Sequence, residues 1–341
     1  MLRDIVADEH RSNSLVQIGV KQLDDAAVVK IADGTSLVIA TDFVRGSGFY
    51  LFELGYLNYF DVGYYLVVAN LSDLAAMGAR PTGLTTIIRY SKSMTDEDFK
   101  EIFRGMDAAA KTYDTEIVGG DIGGYSEDVF AATAFGLMNT SRVLLRSNVH
   151  ADDLLCVTGA IGLPITALLY FKEVKEKGFR LSAEQEDLIL RSWRRPKARI
   201  PEGVILAESG IGHACQDISD GLKPTIEQIS ALSGRTFTVQ ESALPIDPTT
   251  RAMANFLQVP VAQIAMSASV DFELVFTISP SEEAVCKKLF SDQGLAFHVI
   301  GRTNALGKNL LVSDNGDEHI LPGIAWEQQT GDYLGEIIGR H

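Results

Sequence analysis

The chain has 341 residues, of which 46% are hydrophobic and 22% charged, and its formal net charge is −15. This length is enough for two domains with separate cores, and the composition is that of an ordinary globular protein. The acidic balance and the lack of a basic run exclude nucleic acid as an expected partner. Apolar runs such as 129–138 are too short to span a membrane, so no membrane partner is expected.

Cysteine usage indicates the cellular compartment. Cys156, Cys215 and Cys286 lie far apart and form no CxxC pair, as is typical of reduced thiols rather than of disulfides or a zinc site. The first ten residues carry charges throughout and contain no apolar segment of a signal peptide. We therefore expect a cytoplasmic protein.

A β-hairpin and a long helix open the predicted fold. The hairpin turns at Asp33–Gly34, between apolar residues at 28–31 and 37–39. Apolar residues at helical spacing then predict a helix from about residue 61 to Gly78, which is suited to a left-handed C-cap. Asn70 and Asp73 share one face of this helix, and no lysine or arginine lies within four positions of Asp73. This aspartate is either an exposed side chain or a metal ligand.

The following segments predict a mixture of strands and helices. A strand is expected at 84–88, and a helix begins after Thr95, which forms a capping-box pattern with Asp98. Residues 116–124 predict a strand that runs into a glycine-rich loop within this segment, and a further strand follows at 129–137. We place the domain boundary in the polar stretch near residue 150, which gives domains of 1–148 and 149–341.

The second half predicts alternating elements. Helices are expected at 164–177, 182–193, 201–209 and 222–232, a helix also follows residue 281, and strands are expected near 154–157, 214–217 and 271–279. The last pattern is a hairpin with Asn315–Gly316 at its turn. Hairpins mixed with βα units predict an α+β fold.

Common catalytic motifs are missing from the sequence. It has no GxxxxGK[ST], no GxGxxG after a strand, no HExxH and no GxSxG. Aspartates recur instead at strand ends and in loops: Asp24, Asp25, Asp42, Asp73, Asp121, Asp217 and Asp220. Each one alone is typical of a turn or cap. Together they favour Mg²⁺, which carboxylates bind along with substrate phosphates.

Glycines and arginines near these aspartates are candidate phosphate ligands. The backbone can approach a phosphate closely at Gly119–Gly120 and in the turn from Gly159 to Gly162. Arg146 is placed to contact a triphosphate, or it is a surface residue at a strand end. Arg45 lies in a glycine-flanked loop and could meet an anionic substrate.

Several motifs carry a family resemblance. The segments DDAA, TD, NLSDLAAMGARP, GGD, RS and DISDGL occur in the order and spacing of thiamine-monophosphate kinase. That family belongs to the aminoimidazole ribonucleotide synthetase (PurM-like) superfamily. The resemblance implies a two-domain architecture, in which the N-terminal mixed sheet forms a barrel with a second subunit and the C-terminal domain is α/β. It also implies a homodimer that holds ATP with several Mg²⁺ ions between the domains.

The resemblance also assigns roles to residues. The implied Mg²⁺ ligands are Asp25, Thr41, Asp42, Asp73, Asp121, Asp217 and Asp220. The implied ATP contacts are Gly119, Gly120, Arg146 and Ser219, and Asp121, Arg146 and Asp220 are the implied catalytic residues. The implied substrate positions are Arg45, Gly48, Phe49, Val270 and Trp326.

The chain departs from the family at the acceptor positions. The family's Gly-x-His-Phe loop is here one residue shorter, from Gly46 to Phe49, and lacks the histidine. Its GGEDYEL motif occupies 268–274, where Val270 replaces a substrate-facing glutamate. Leu23 replaces the glycine of its GDD motif.

We predict an ATP- and Mg²⁺-dependent phosphotransferase that acts on a small, phosphorylated acceptor. Thiamine monophosphate is expected to be a poor substrate, because the pocket has lost groups that recognise a cation. Two alternatives remain open. One is a ligase or cyclase that phosphorylates an amide oxygen, and the other is a nucleotide-binding protein without catalysis.

Overall fold

The computed structural model describes residues 14–44, 49–325 and 333–339. These residues form two compact units. The first unit extends to Leu145 and also contains Lys197–Gly210, and the second contains Arg146–Pro196 and resumes at Ile211. The predicted boundary lies just after the first crossing between units, but the return of Lys197–Gly210 to the first unit was not predicted.

Strands and helices alternate along most of the chain. The strands are β1 (Val16–Ile18), β2 (Ala27–Ala32), β3 (Thr35–Val44), β4 (Arg80–Tyr90), β5 (Ile117–Gly124), β6 (Val129–Asn139), β7 (Leu154–Val157), β8 (Cys215–Asp217), β9 (Thr236–Gln240), β10 (Leu274–Ile278), β11 (His298–Asn304), β12 (Leu310–Val312) and β13 (Glu318–Ile320). The α-helices are α1 (Tyr50–Glu53), α2 (Tyr59–Met77), α3 (Asp96–Thr112), α4 (Leu163–Leu169), α5 (Ala183–Arg194), α6 (Ile200–Ser209), α7 (Leu222–Ser233), α8 (Pro248–Leu257), α9 (Val261–Ala265), α10 (Glu283–Ser291) and α11 (Tyr333–Ile337). None of these helices is long and apolar enough to cross a lipid bilayer.

The first unit contains a mixed sheet in the order β1-β2-β3-β6-β4-β5. Its neighbouring strands are antiparallel, except that β4 and β5 are parallel and are joined through α3. Burial alternates along β3 and β6, because α2 covers one face of the sheet. The predicted hairpin is confirmed, with Val28 opposite Val38 in the β2–β3 pair.

Helix α2 is the central element of the first unit. It begins with a capping box between Asn58 and Asp61, and it ends at Gly78 in the left-handed conformation, as predicted. Every residue from Asp61 to Met77 except Asp73 is buried. A helix buried on nearly all sides is held by packing rather than by an amphipathic face.

Two glycines allow α2 and α3 to approach closely. A Cβ atom on Gly63 would lie 2.1 Å from the carbonyl oxygen of Ile102, and one on Gly105 would lie 2.0 Å from that of Phe60. Each helix therefore presents a glycine to the backbone of the other. The predicted capping box of Thr95 and Asp98 at the start of α3 is also confirmed.

The second unit contains a sheet in the order β13-β12-β9-β11-β7-β10-β8. Strand β10 lies between β7 and the edge strand β8, pairs antiparallel with both, and is buried along its whole length. A core that includes Leu155, Phe237, Val275 and Ile300 forms around this sheet.

Two local predictions differ from the structure. The glycines at 119–124 do not form a loop, since β5 continues to Gly124 through parallel pairing with β4. The predicted helix at 164–177 is interrupted, because α4 passes into a π-helical turn at Tyr170–Val174 and a 3₁₀ turn at Lys175–Lys177.

We predict that Gly105→Ala lowers the free energy of unfolding by roughly 1–3 kcal/mol or more, because the added methyl group overlaps the α2 backbone. Glycine-to-alanine changes in helix interiors otherwise stabilise by up to about 1 kcal/mol, so the sign of the effect is diagnostic. The matched control is Gly124→Ala, where a Cβ atom would meet nothing within 4 Å. Urea unfolding of both variants provides the measurement, and a stabilised Gly105→Ala protein would contradict the packing described.

Candidate active site

Two predicted metal ligands meet in the first unit. Asp25 lies in the turn before β2 and Asp73 on α2, and their carboxylates offer oxygen atoms within 4.8 Å of each other. Both side chains are half-buried. Two carboxylates at about 5 Å repel each other by about 3 kcal/mol at an effective dielectric constant near 20. A pair of oxygen donors without histidine or cysteine fits Mg²⁺.

Asn70 connects α2 to β3 beside this pair. Its Oδ1 accepts a hydrogen bond of 2.9 Å from the backbone N–H of Asp42. Its Nδ2 donates to the carbonyl oxygens of Asp42 at 3.4 Å and of Leu66 at 2.9 Å. The buried amide is thus satisfied on both sides, and it fixes β3 at Asp42 against the helix that carries Asp73.

Strand register places Asp121 on the opposite face of the sheet from Asp42. Asp42 lies opposite Ala132, which faces the helices, whereas Asp121 pairs with Ile87, whose side chain is exposed. Asp121 is itself exposed and forms an ion pair with Arg89, whose hydrogen bond lowers the pKa of this carboxylate. The structure of the first unit therefore does not bring Asp121 to Asp42.

Thr41 and Gly120 have different environments from those of the carboxylates. Thr41 is exposed on β3 and exchanges a hydroxyl hydrogen bond of 3.0 Å with Thr133. A Cβ atom on Gly120 would lie 2.3 Å from the carbonyl oxygen of Thr86, whereas one on Gly119 would meet nothing within 4 Å. Gly120 is thus required for strand pairing, and only Gly119 is open to a ligand.

In the second unit, Arg146 is held near the strand that carries Asp217. Its guanidinium donates to Oε1 of Gln228 on α7 at 3.3 Å, and the same oxygen accepts from Nε2 of Gln216 at 2.5 Å. Asp217 follows Gln216 in β8 and is buried. Gln228 therefore links the predicted ATP-binding arginine to the strand that bears a predicted metal ligand.

The loop after β8 packs against the segment that contains Val270. The Ile218 N–H donates to the Glu273 carbonyl at 2.8 Å, and the Phe272 N–H donates to the Ile218 carbonyl at 2.9 Å. Ser219 is half-buried and Asp220 is exposed in this loop. A Cβ atom on Gly221 would lie 2.2 Å from the Ser267 carbonyl oxygen, so the loop approaches this segment closely at its end.

Asp271, next to Val270, is half-buried, and its carboxyl oxygen Oδ2 is enclosed by the protein. Burial raises its pKa to about 7, although hydrogen bonds from the Gly162 N–H and from Ser269 act in the opposite direction. The Gly162 N–H donates to Oδ1 of Asp271 at 2.8 Å. The sequence predicted that the turn containing Gly162 approaches a phosphate. In the structure the Gly162 N–H is instead hydrogen-bonded to Asp271.

Several predicted substrate residues cannot be placed. Arg45, Gly48 and Trp326 lie outside the described residues. Phe49 is half-buried before α1, and its ring packs edge-on against Tyr65 with a centroid separation of 5.2 Å. Val270 is half-buried.

Sequence reasoning missed three residues of these surroundings. Arg89 lies on β4, and only the parallel register with β5 brings it to Asp121. Gln228 carries no signal beyond being a polar residue of α7. Asp271 directly follows the departure at Val270, and its position between apolar residues was the available sign of burial.

Comparisons with known proteins identify relatives. Residues 23–138 match the family model "AIR synthase related protein, N-terminal domain". The thiamine-monophosphate kinase of Pyrococcus horikoshii is 31% identical over 312 residues, which cover 91% of this chain and 92% of that protein.

Solved structures share the fold. The crystal structure of thiamine-monophosphate kinase from Stenotrophomonas maltophilia K279a superposes with a TM-score of 0.73 at 26% identity, covering 93% of this chain and 94% of that one. AaThiL complexed with AMPPCP and TMP gives a TM-score of 0.74 at 21% identity, covering 89% and 91% of the two chains. The predicted α+β, PurM-like architecture is thereby confirmed.

We predict that the unchanged chain loses free energy of unfolding between pH 5 and pH 8 because of Asp271, and that Asp271→Asn removes this loss. The folded-state pKa of about 7 lies above the ordinary value of 3.8, so the folded protein binds the extra proton between these values. The stability that this group contributes is fully present below its unfolded-state pKa of 3.8, and it is lost as the pH rises through the folded-state pKa of about 7. Chemical denaturation at the two pH values measures the effect.

The control for this experiment is Asp314→Asn, which changes an exposed carboxylate in the turn between β12 and β13. It should leave the pH dependence of stability unaltered. If Asp271→Asn also leaves it unaltered, Asp271 does not titrate as described.

Proposed function

Because the chain belongs to the thiamine-monophosphate kinase family, we propose that it transfers the γ-phosphoryl group of ATP to a small phosphorylated acceptor through a pocket altered from that of its relatives. The observation that carries this proposal is the 31% identity over 91% of the chain. The kinase activity itself is common to the named relatives. The acceptor and the roles of individual residues are the parts that we infer.

We assign Mg²⁺ binding first to Asp25 and Asp73. Their oxygen atoms lie within 4.8 Å of each other, so a divalent cation would relieve their repulsion. Bound Mg²⁺ would neutralise the negative charge on the phosphate oxygens of ATP during transfer of the γ-phosphoryl group. The remaining predicted ligands are Thr41, Asp42, Asp121, Asp217 and Asp220, and their assignment rests on the family resemblance.

The proposed phosphate contacts are Arg146 and Ser219 of the second unit and Gly119 of the first. Arg146 is oriented by Gln228, and a fixed guanidinium is suited to bind phosphate oxygens. Ser219 lies in the loop that packs against 267–273. Gly119 presents open space beside its backbone, which allows a phosphate to approach.

A phosphorylated acceptor would need no general base in the site, because its attacking oxygen is already ionised. A phosphate monoester has a second pKa of about 6, so it is largely ionised at pH 7. Its oxygen can attack the γ-phosphorus in line without losing a proton to the protein. The chain then has to position the two phosphates, and Arg146 stabilises the charge.

Val270 is the proposed specificity difference. It stands where the family has a substrate-facing glutamate, in a segment fixed by hydrogen bonds between Phe272 and Ile218. Loss of a hydrogen bond to a charged group costs about 1.5–3 kcal/mol, or roughly ten- to a hundredfold in affinity. We therefore propose a preferred acceptor that is less cationic than thiamine monophosphate.

Steady-state kinetics with ATP and thiamine monophosphate tests this proposal. We expect the unchanged chain to show a kcat/KM below about 10⁴ M⁻¹s⁻¹, and we expect Val270→Glu to raise it by roughly ten- to a hundredfold. Val270→Gln is the matched control, because it adds similar volume without charge. A high value for the unchanged chain would show that other residues recognise the thiamine cation.

An Asp73→Asn variant tests the metal assignment, by calorimetry of ATP binding and by the kinetic assay above. The isosteric change removes one charge of the Asp25–Asp73 pair, so Mg²⁺-dependent ATP binding by calorimetry should be lost along with ADP formation. Asp33→Asn changes an exposed carboxylate in the β2–β3 turn and serves as the control. Unchanged nucleotide affinity in Asp73→Asn would refute the assignment.

We further propose that the chain forms a homodimer through the uncovered face of the first sheet. Phe43, Ile87 and Leu137 are 65%, 48% and 39% exposed there, and such apolar groups are typical of an interface. Light scattering at micromolar concentration should give twice the chain mass, and Phe43→Asp should reduce it. A monomeric mass for the unchanged chain would contradict this proposal.

A further inference from the structure

Two histidines and an aspartate converge at one end of the second sheet. Strands β7 and β8 both pair antiparallel with β10, so they run parallel to each other. The N-terminal ends of β7 and β8 consequently lie at the same end of the sheet, beside the C-terminal end of β10. Asp153 immediately precedes β7, and His213 lies shortly before β8. His150 joins them from the loop that leads into β7.

The three side chains are close enough to share an ion. Nδ1 of His213 lies 2.9 Å from Oδ1 and 3.0 Å from Oδ2 of Asp153. The rings of His150 and His213 have a centroid separation of 4.0 Å. Each of the three residues offers one ligand atom within 4.8 Å of the other two. Neighbouring donors of a tetrahedral zinc site are separated by about 3.3 Å, which lies between the 2.9 Å of the His213–Asp153 contact and the 4.8 Å limit for the whole cluster.

The backbone holds two of these residues firmly. The His213 N–H donates to the Thr277 carbonyl at 2.9 Å, and the Asp153 carbonyl accepts from the Thr303 N–H at 2.9 Å. The Asp153 carboxylate also accepts from the His150 N–H at 2.9 Å. Sites on such rigid elements keep their ligands in place before an ion arrives.

The cluster is buried on one side and exposed on the other. The side chain of Asp153 is 1% exposed and that of His213 is 17% exposed, whereas His150 lies at the surface. An ion could therefore enter from the side of His150, which is exposed to solvent. The same side would leave a coordination position for water.

We propose that His150, Asp153 and His213 form a binding site for a transition-metal ion of the Zn²⁺ class. Two imidazoles and a carboxylate are a common ligand set for Zn²⁺ with a fourth position open to water. Imidazole nitrogen favours such ions over Mg²⁺, which takes oxygen ligands. The cluster thus differs in chemistry from the Asp25–Asp73 pair, and it lies wholly within the second unit.

A hydrogen-bonded His213–Asp153 pair that only stabilises the sheet edge is the simpler account. It would require neither a second imidazole nor an open side. The position of His150 favours an ion, because its ring lies 4.0 Å from that of His213 and it offers a third ligand atom within 4.8 Å of the other two.

Co²⁺ is the probe that separates these accounts, because its visible absorption reports tetrahedral nitrogen and oxygen ligands. The full chain, stripped of metal by a chelator and free of ATP and Mg²⁺, is titrated with Co²⁺ and then with Zn²⁺. We expect the tetrahedral absorption to saturate at one Co²⁺ per chain and to be abolished when Zn²⁺ displaces that ion. His150→Ala should weaken binding at least tenfold and, since His150 is exposed, should leave the fold intact.

Controls identify the site. His319→Ala changes an exposed histidine on β13 and should bind Co²⁺ like the unchanged chain. His213→Ala should bind as weakly as His150→Ala. The proposal is overturned if the unchanged chain shows no tetrahedral absorption, or if either histidine variant of the cluster retains full affinity.

Discussion

The hydrogen bonds of Asn70 are the interaction on which the first unit depends. A single buried amide connects the backbone of β3 to the helix that bears Asp73. Leaving such a group unsatisfied would cost about 1–3 kcal/mol, so helix and strand are fixed in one relative position. The carboxylates of Asp73 and Asp42 can therefore be placed by rigid elements, although each alone is a costly group to hold among apolar neighbours.

A different constraint acts in the second unit, where one buried strand, β10, positions the loops at both of its ends. Strand β10 receives β7 on one side and β8 on the other, and the segment that precedes it forms backbone hydrogen bonds with Ile218. Chemistry-bearing residues thus collect at both ends of the same three strands. The loop with Asp217 and Asp220 lies at one end, and the histidine cluster lies at the other.

Local signals were sufficient for much of the fold. The end of α2 at Gly78 and the capping box at Thr95 depend on residues that adjoin in sequence, so they could be predicted. The face occupied by Asp121 could not, because glycines on either side carry no alternation of apolar and polar residues, and register alone decides the face. The same holds for His213 and Asp153, which are 60 residues apart. Burial of Asp271 likewise arises from distant parts of the chain, such as Gly162.

The return of α6 to the first unit has a consequence for modularity. A Cβ atom on Gly203 of this helix would lie 2.0 Å from the carbonyl oxygen of Ala75 on α2, so the two helices are fitted to each other at backbone distance. An N-terminal fragment cut at the first crossing would lose this helix and uncover the small-residue surface of α2. A fragment that ends at residue 145 is therefore not a self-sufficient cassette, and any exchange of the first unit between proteins would have to carry residues 197–210 with it.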